Sequence, residues 1–172
     1  KPDKDKMAEN SKPGRRSASM KKLYEHTQTI DRKAVPDITE EALWAGLMRF
    51  VMHPEQFNKQ IRGSVVKAGA GDRPDCVYER VMDFGAHHVS DCVYLSREAK
   101  RLEFHVAGTK DYSDSLLCLQ IAENEHGNLS VTFSYYASSE PKLPAHIRPL
   151  LHQAWEQKDK DILEHLLLEP VP

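Results

Sequence analysis

DCVYERVMDFGAHHVSDCVYLSREAKRLEFHVAGTKDYSDSLLCLQIAENEHGNLSVTFSYYA, residues Asp75–Ala137, is the stretch whose reading decides the fold. Runs of alternating apolar and polar residues are divided at Gly85-Ala86, Glu98-Ala99, Gly108–Asp114 and Glu125–Asn128. Such alternation marks half-buried strands, and the dividing residues are turn formers. Opposed residues in an antiparallel pair share a face, so each hairpin tests its neighbour. The first turn sets Met82 against Val89, Arg80 against Asp91 and Tyr78 against Val93. The second sets Leu95 against Leu102, Val93 against Phe104 and Asp91 against Val106. The third is expected to pair Phe104 with Leu119 and Leu102 with Ile121. The fourth is expected to pair Ile121 with Leu129, Leu119 with Val131 and Leu117 with Phe133. All four agree on one dry face, Tyr78 and Arg80 through Phe133 and Tyr135. Glu79, His88, Ser90, Glu103, His105, Ser130 and Ser134 belong to the other face, expected in water, as in an antiparallel meander.

Upstream, Leu23–Ile30 reads as a first strand, stopped by Asp31-Arg32-Lys33 and Pro36. A helix opens near Asp37 or Thr39, and Leu43, Trp44, Leu47, Phe50 and Val51 give it one apolar side. His53-Pro54 ends it, and Pro54–Lys59 is expected to form a second short helix. Ile61–Ala68 is the next strand, ended by Gly69–Pro74. Downstream, after Pro141 and Pro144, a helix runs from about His146 to Glu169. Its expected buried stripe is Leu151, Ala154, Trp155, Lys158, Ile162, His165 and Leu166. The fold class is therefore α+β: a curved seven-stranded antiparallel sheet wrapped around a long C-terminal helix, with two short helices after the first strand.

The chain has 172 residues, 40% hydrophobic and 29% charged, with a formal charge of −2, which suits one domain with a full core. No apolar run approaches the roughly 18 residues that cross a membrane. Residues 1–19 carry six basic and three acidic side chains and no aromatic or β-branched residue. They are expected to form a disordered leader or tag, with the folded domain at 20–169. The remainder is mildly acidic without a basic stripe, which excludes nucleic acid as the main partner. Cys76, Cys92 and Cys118 lack a pairing motif and are expected as reduced thiols in a cytoplasmic protein.

Arg80 and Asp91 stand out, an opposite pair on an otherwise apolar face. They fit either a structural ion pair or a polar anchor at a cavity wall that orients a ligand. Tyr78, Tyr135 and Trp155 face the same space and suit either packing or a pocket lining. The histidines are scattered without metal-ligand spacing, and no Walker loop, GxGxxG or GxSxG occurs. The Asp159-Lys160-Asp161 run reads as a solvated helix side. No catalytic residue, metal or cofactor is expected.

The order of strand, two short helices, six strands and long helix resembles the helix-grip fold of the START-like superfamily (SRPBCC, the birch-pollen-allergen-like proteins). The segments Trp44-Ala45-Gly46-Leu47, Arg80–Gly85 and Arg101-Leu102-Glu103-Phe104 resemble its AtaL-like branch. The resemblance implies a cavity between sheet and terminal helix for a lipid-, sterol- or polyketide-like molecule. The expected ligand-binding residues are Tyr78, Arg80, Asp91, Val93, Phe104, Leu119, Phe133, Tyr135 and Trp155. The expected partner is a small hydrophobic ligand taken up by a monomer or homodimer, without nucleic acid and without membrane insertion. Three functions remain open. One is a non-catalytic binder. The second is a polyketide cyclase or dehydratase, in which Arg80 polarises a carbonyl and Asp91 or Tyr78 moves a proton. The third is an interaction module using Tyr94 and Tyr136 on the wet face.

Overall fold

The computed structural model describes residues 19–69 and 75–168. Seven strands form one antiparallel sheet: β1 (Lys21–Thr29), β2 (Gly63–Ala68), β3 (Tyr78–Asp83), β4 (His88–Ser96), β5 (Arg101–Val106), β6 (Ser115–Glu123) and β7 (Leu129–Ala137). Their order is β1-β7-β6-β5-β4-β3-β2, so the two ends of the linear meander are β2 and the returning first strand. Helix α1 (Glu40–Met52) follows β1, and helix α2 (Arg148–Leu168) closes the domain. The expected leader (residues 1–19, of which 1–18 are not described), most of the Gly69–Pro74 turn and Glu169 lie outside the described residues.

The first two hairpins hold the expected register, with Arg80 opposite Asp91 and Val93 opposite Phe104. The next two are offset by two residues. Phe104 pairs with Leu117 and Leu102 with Leu119, while Leu119 pairs with Phe133 and Ile121 with Val131. The loops set this offset. In the β5–β6 loop the Gly108 amide donates to the Asp114 carboxylate, and Thr109 N–H to the Tyr112 carbonyl. In the β6–β7 loop the Asn124 side chain accepts from the amides of His126 and Asn128, and Gly127 takes a φ of 77°. Because side chains alternate with period two, an even slip leaves every residue on its expected face. None of the inner-face residues is exposed.

The outer face differs from expectation. Glu103, Ser130 and Ser134 are buried, as is Tyr94. Tyr94, Glu103, Cys118 and Ser134 stand side by side across four strands, so the face carries its own semi-apolar layer. Arg101 covers Glu103 with two 3.3 Å contacts, and Ser134 Oγ donates to Glu25 at 2.6 Å. Tyr94 is thus withdrawn from the surface on which an interaction module would depend. The thiol expectation is also corrected: Cys76 and Cys92 form a disulfide, leaving Cys118 as the free cysteine. Burial pushes the Cys118 thiol up to about 12, which makes it unreactive near neutral pH.

Helix α1 starts where Thr39 Oγ1 accepts from the Ala42 amide, with Glu40 and Glu41 in the first turn. It ends at His53, and Pro54–Gln56 is a single 3-10 turn in place of the second helix expected over Pro54–Lys59. Leu43, Leu47 and Val51 are buried against the sheet, each contributing about 1.5–3 kcal/mol. At Gly46 the two helices are near enough that a Cβ would be in ordinary van der Waals contact with Leu166, 3.4 Å away. Along α2 the buried residues are Asp159, Ile162, Leu163 and Leu166, whereas Ala154 and Lys158 are exposed. The stripe is rotated from the expected one. Its C-terminal half is apolar and packs on α1; its N-terminal half is polar and faces β1.

Candidate functional site

The registers place Tyr24, Tyr135, Leu117, Phe104, Val93 and Tyr78 in one row across the inner face. The next row holds His26, Phe133, Leu119, Leu102 and Leu95. Eight of the nine expected residues are therefore on one wall, and Trp155 faces it from α2. Val93, Phe104, Leu119, Phe133 and Tyr135 belong to the buried core, with Tyr78 and Trp155 packed at its edge.

Two polar groups interrupt this wall, one toward each edge of the sheet. The first is Arg80 with Asp91. Arg80 donates from Nε at 2.9 Å and from Nη2 at 2.6 Å to the two carboxylate oxygens, a bidentate pair buried on both sides. Its Nη1 donates to the Val51 carbonyl at 3.0 Å, satisfying the last turn of α1. The guanidinium also lies 4.9 Å from the centre of the Phe104 ring. This group ties β3, β4 and α1 together.

The second group was not expected. Asp159, wholly buried on α2, accepts from His26 Nε2 at 2.7 Å and from the Tyr135 hydroxyl at 2.5 Å, both on Oδ2. Gln28 Nε2 donates to His26 Nδ1 at 3.2 Å, which places the shared ring proton on Nε2. Asp159 Oδ1 has no hydrogen-bond partner, and Lys158 Nζ stands 3.7 Å from it. Beside this cluster Tyr24 donates to Glu156 and stacks on His152 at 4.1 Å, while Tyr135 stacks on Trp155 at 4.4 Å. A half-open hollow of about 90 Å³ lies on this seam, lined by Leu23, Pro141, Leu143, Leu151, His152 and Trp155, with Glu140 and Arg148 also at it.

Sequence patterning held a signal for both missed residues. The inward parity of β1 is Tyr24, His26, Gln28 and Ile30, and Asp159 lies four residues after Trp155 and three before Ile162. At the start of β1 that parity is broken by Leu23, which sits at the β-bulge between Lys22 and Tyr24.

Burial first, and then the Asp159 carboxylate, hold the Tyr135 phenol protonated far above its ordinary range. The unfolded phenol ionises near about 10. The stabilisation is therefore complete below that pH and is lost as pH rises through the interval up to the folded value. Tyr135 alone should contribute a loss of about 1.4 kcal/mol per pH unit there. Urea unfolding of Tyr135→Phe above that pH should show a flatter alkaline limb than wild type; identical limbs would remove this assignment.

The sequence matches the family described as acetylaranotin biosynthesis cluster protein L (AtaL) over residues 24–160. The chain belongs to the AtaL family. No curated protein matches it. Among solved structures it is similar to the allergen Ara h 8.0201, at 12% identity and a TM-score of 0.59, covering 87% of this chain and 99% of that one. It is similar to the di-domain ARO/CYC StfQ of the steffimycin biosynthetic pathway at 11% identity and a TM-score of 0.60, covering 84% of this chain and 49% of that one. A Thermobifida fusca solution structure gives 11% identity, a TM-score of 0.59, and 83% and 91% coverage. These likenesses show that this AtaL-family chain has the helix-grip fold. Among the described residues no helix is long and apolar enough to cross a membrane, and no three metal-ligating side chains converge.

Proposed function

We propose that the protein binds an apolar or amphipathic small molecule, lipid-, sterol- or polyketide-like, between the sheet and α2. The observation that carries this reading is the β1–α2 seam. A lid helix that only stabilised a core would present apolar side chains there. This one presents His152, Trp155, Glu156 and Asp159, beside a half-open hollow. Stacked aromatics with a few convergent polar groups are the usual lining of a small-molecule site. The hollow is smaller than the roughly 150 Å³ that encloses benzene. It therefore receives one end of a ligand, and the rest enters as α2 lifts from β1. Tyr135 and Trp155 form the mouth in this reading. Phe133, Leu119, Phe104, Val93 and Tyr78 form the apolar wall behind it, and Arg80 and Asp91 close the far end.

The test is native mass spectrometry of freshly purified protein, followed by melting curves with aromatic polyketides, sterols and fatty acids. A ligand at one hundred times its dissociation constant stabilises by about 2.7 kcal/mol. We expect a retained adduct or an upward shift with at least one class; silence across the panel with no adduct overturns the proposal. The second reading is a cyclase- or dehydratase-type enzyme in the same space, favoured by the carboxylate, imidazole and phenol held together at Asp159, His26 and Tyr135. The same panel scored for turnover separates the two. We also propose that the chain acts as a monomer or homodimer.

A further inference from the structure

Building on this binding reading, we propose that Asp159 Oδ1 is the polar anchor of the ligand, which must bring a hydroxyl or N–H donor rather than a carboxylate. The inference rests on hydrogen-bond accounting at one buried side chain. A carboxylate offers about four acceptor sites on two oxygens. Both of its donors here, His26 and Tyr135, converge on Oδ2. Oδ1 is buried without a hydrogen bond, and a buried acceptor left unmade is costly enough to demand a reason. Its charged neighbour is the Lys158 ammonium, an ion pair at 3.7 Å that is too long to be a hydrogen bond and is made by a side chain 44% exposed, so a ligand donor can replace it. It lies 5.3 Å from the Tyr135 ring centre, and that ring stacks on Trp155, which lines the hollow. Asp159 lies one helical turn beyond Trp155 and does not itself line the hollow; a ligand that enters at Trp155 and displaces Lys158 reaches Oδ1, which has no hydrogen bond to lose.

This geometry also selects by charge. An anionic head group placed against a buried carboxylate meets like-charge repulsion in a low dielectric. A phenol or alcohol meets a charge-assisted hydrogen bond. The far pair does not reverse the choice, because the guanidinium of Arg80 is already held by Asp91 and Val51.

Naphthol and naphthoate at neutral pH are matched probes that differ in the head group. Calorimetric titration of the full chain should show naphthol bound at least about tenfold more tightly. Asp159→Asn keeps the shape but puts an amide donor beside the ligand, and should abolish or invert that preference. Lys158→Met, a half-exposed change that spares the core, removes the neighbouring cation and should widen the preference. It keeps the test intact if the Asn variant does not fold. Equal binding of both probes by wild type, a preference for naphthoate, or an unchanged ratio in the variants that fold overturns the anchor while leaving the binding reading in place. Binding of neither probe, together with silence across the wider panel, overturns the binding reading itself.

Discussion

Replacing Asp91 by Ala is expected to cost about 3–5 kcal/mol of folding stability, a large share of the 5–15 kcal/mol available to a domain of this size. The reason is the guanidinium left behind. Arg80 is 4% exposed, and both of its bonds to Asp91 would vanish while Phe104 and the end of α1 keep it from water. An uncompensated buried charge is far worse than no charge. The double change Arg80→Met with Asp91→Leu should therefore recover most of the loss, as buried ion pairs replaced by apolar residues often do. Urea unfolding of the two variants decides the matter. A loss below about 1 kcal/mol in Asp91→Ala would mean that water or another group reaches Arg80. If the double variant folds normally yet loses ligand binding, the pair belongs to the site as well as to the frame.

That pair was legible because both its members sit at fixed parity on strands joined by a tight turn. Gly85, with a φ of 85°, and Asp83, accepting from its amide, pin the hairpin that sets Arg80 against Asp91. The longer loops at Ala107–Asp114 and Asn124–Asn128 carry no such constraint in their composition. Their side-chain staples move the pairing by two residues, a shift that alternation cannot detect. The face was readable throughout; the diagonal neighbours were not.

The candidate site was legible on β3–β7 and obscured at β1 and α2. Leu23 and Ile30 lie at opposite parity, and only the bulge reconciles them, so the direction of His26 was legible only by counting back from Ile30. Asp159 was hidden by its neighbours, because the six-residue polar run Glu156–Asp161 resembles a solvated helix side. The buried residues Ile162 and Leu166 fix the helix face, and Asp159 falls on it. A single carboxylate in an otherwise buried stripe is the pattern to seek in such a helix.

The second large effect is expected on the opposite face. Changing both Cys76 and Cys92 to Ser should cost about 3 kcal/mol, the chain-entropy value for a loop near their separation of 16 residues. The bond joins the segment entering β3 to β4 and lies with Tyr94 in a small cluster of its own, away from the α2 side. Its loss should therefore lower the melting temperature without changing the ligand selectivity that Asp159→Asn is expected to alter. Thiol titration gives the direct check. Of three cysteines, the denatured, unreduced protein should yield one reactive thiol, Cys118, and all three after reduction. Three thiols before reduction would mean that the pair is open, and the Ser variants should then melt close to wild type. With one thiol and an unshifted melting curve, the bond would exist but not constrain the unfolded chain, because the β3–β4 hairpin it encloses would already be present there.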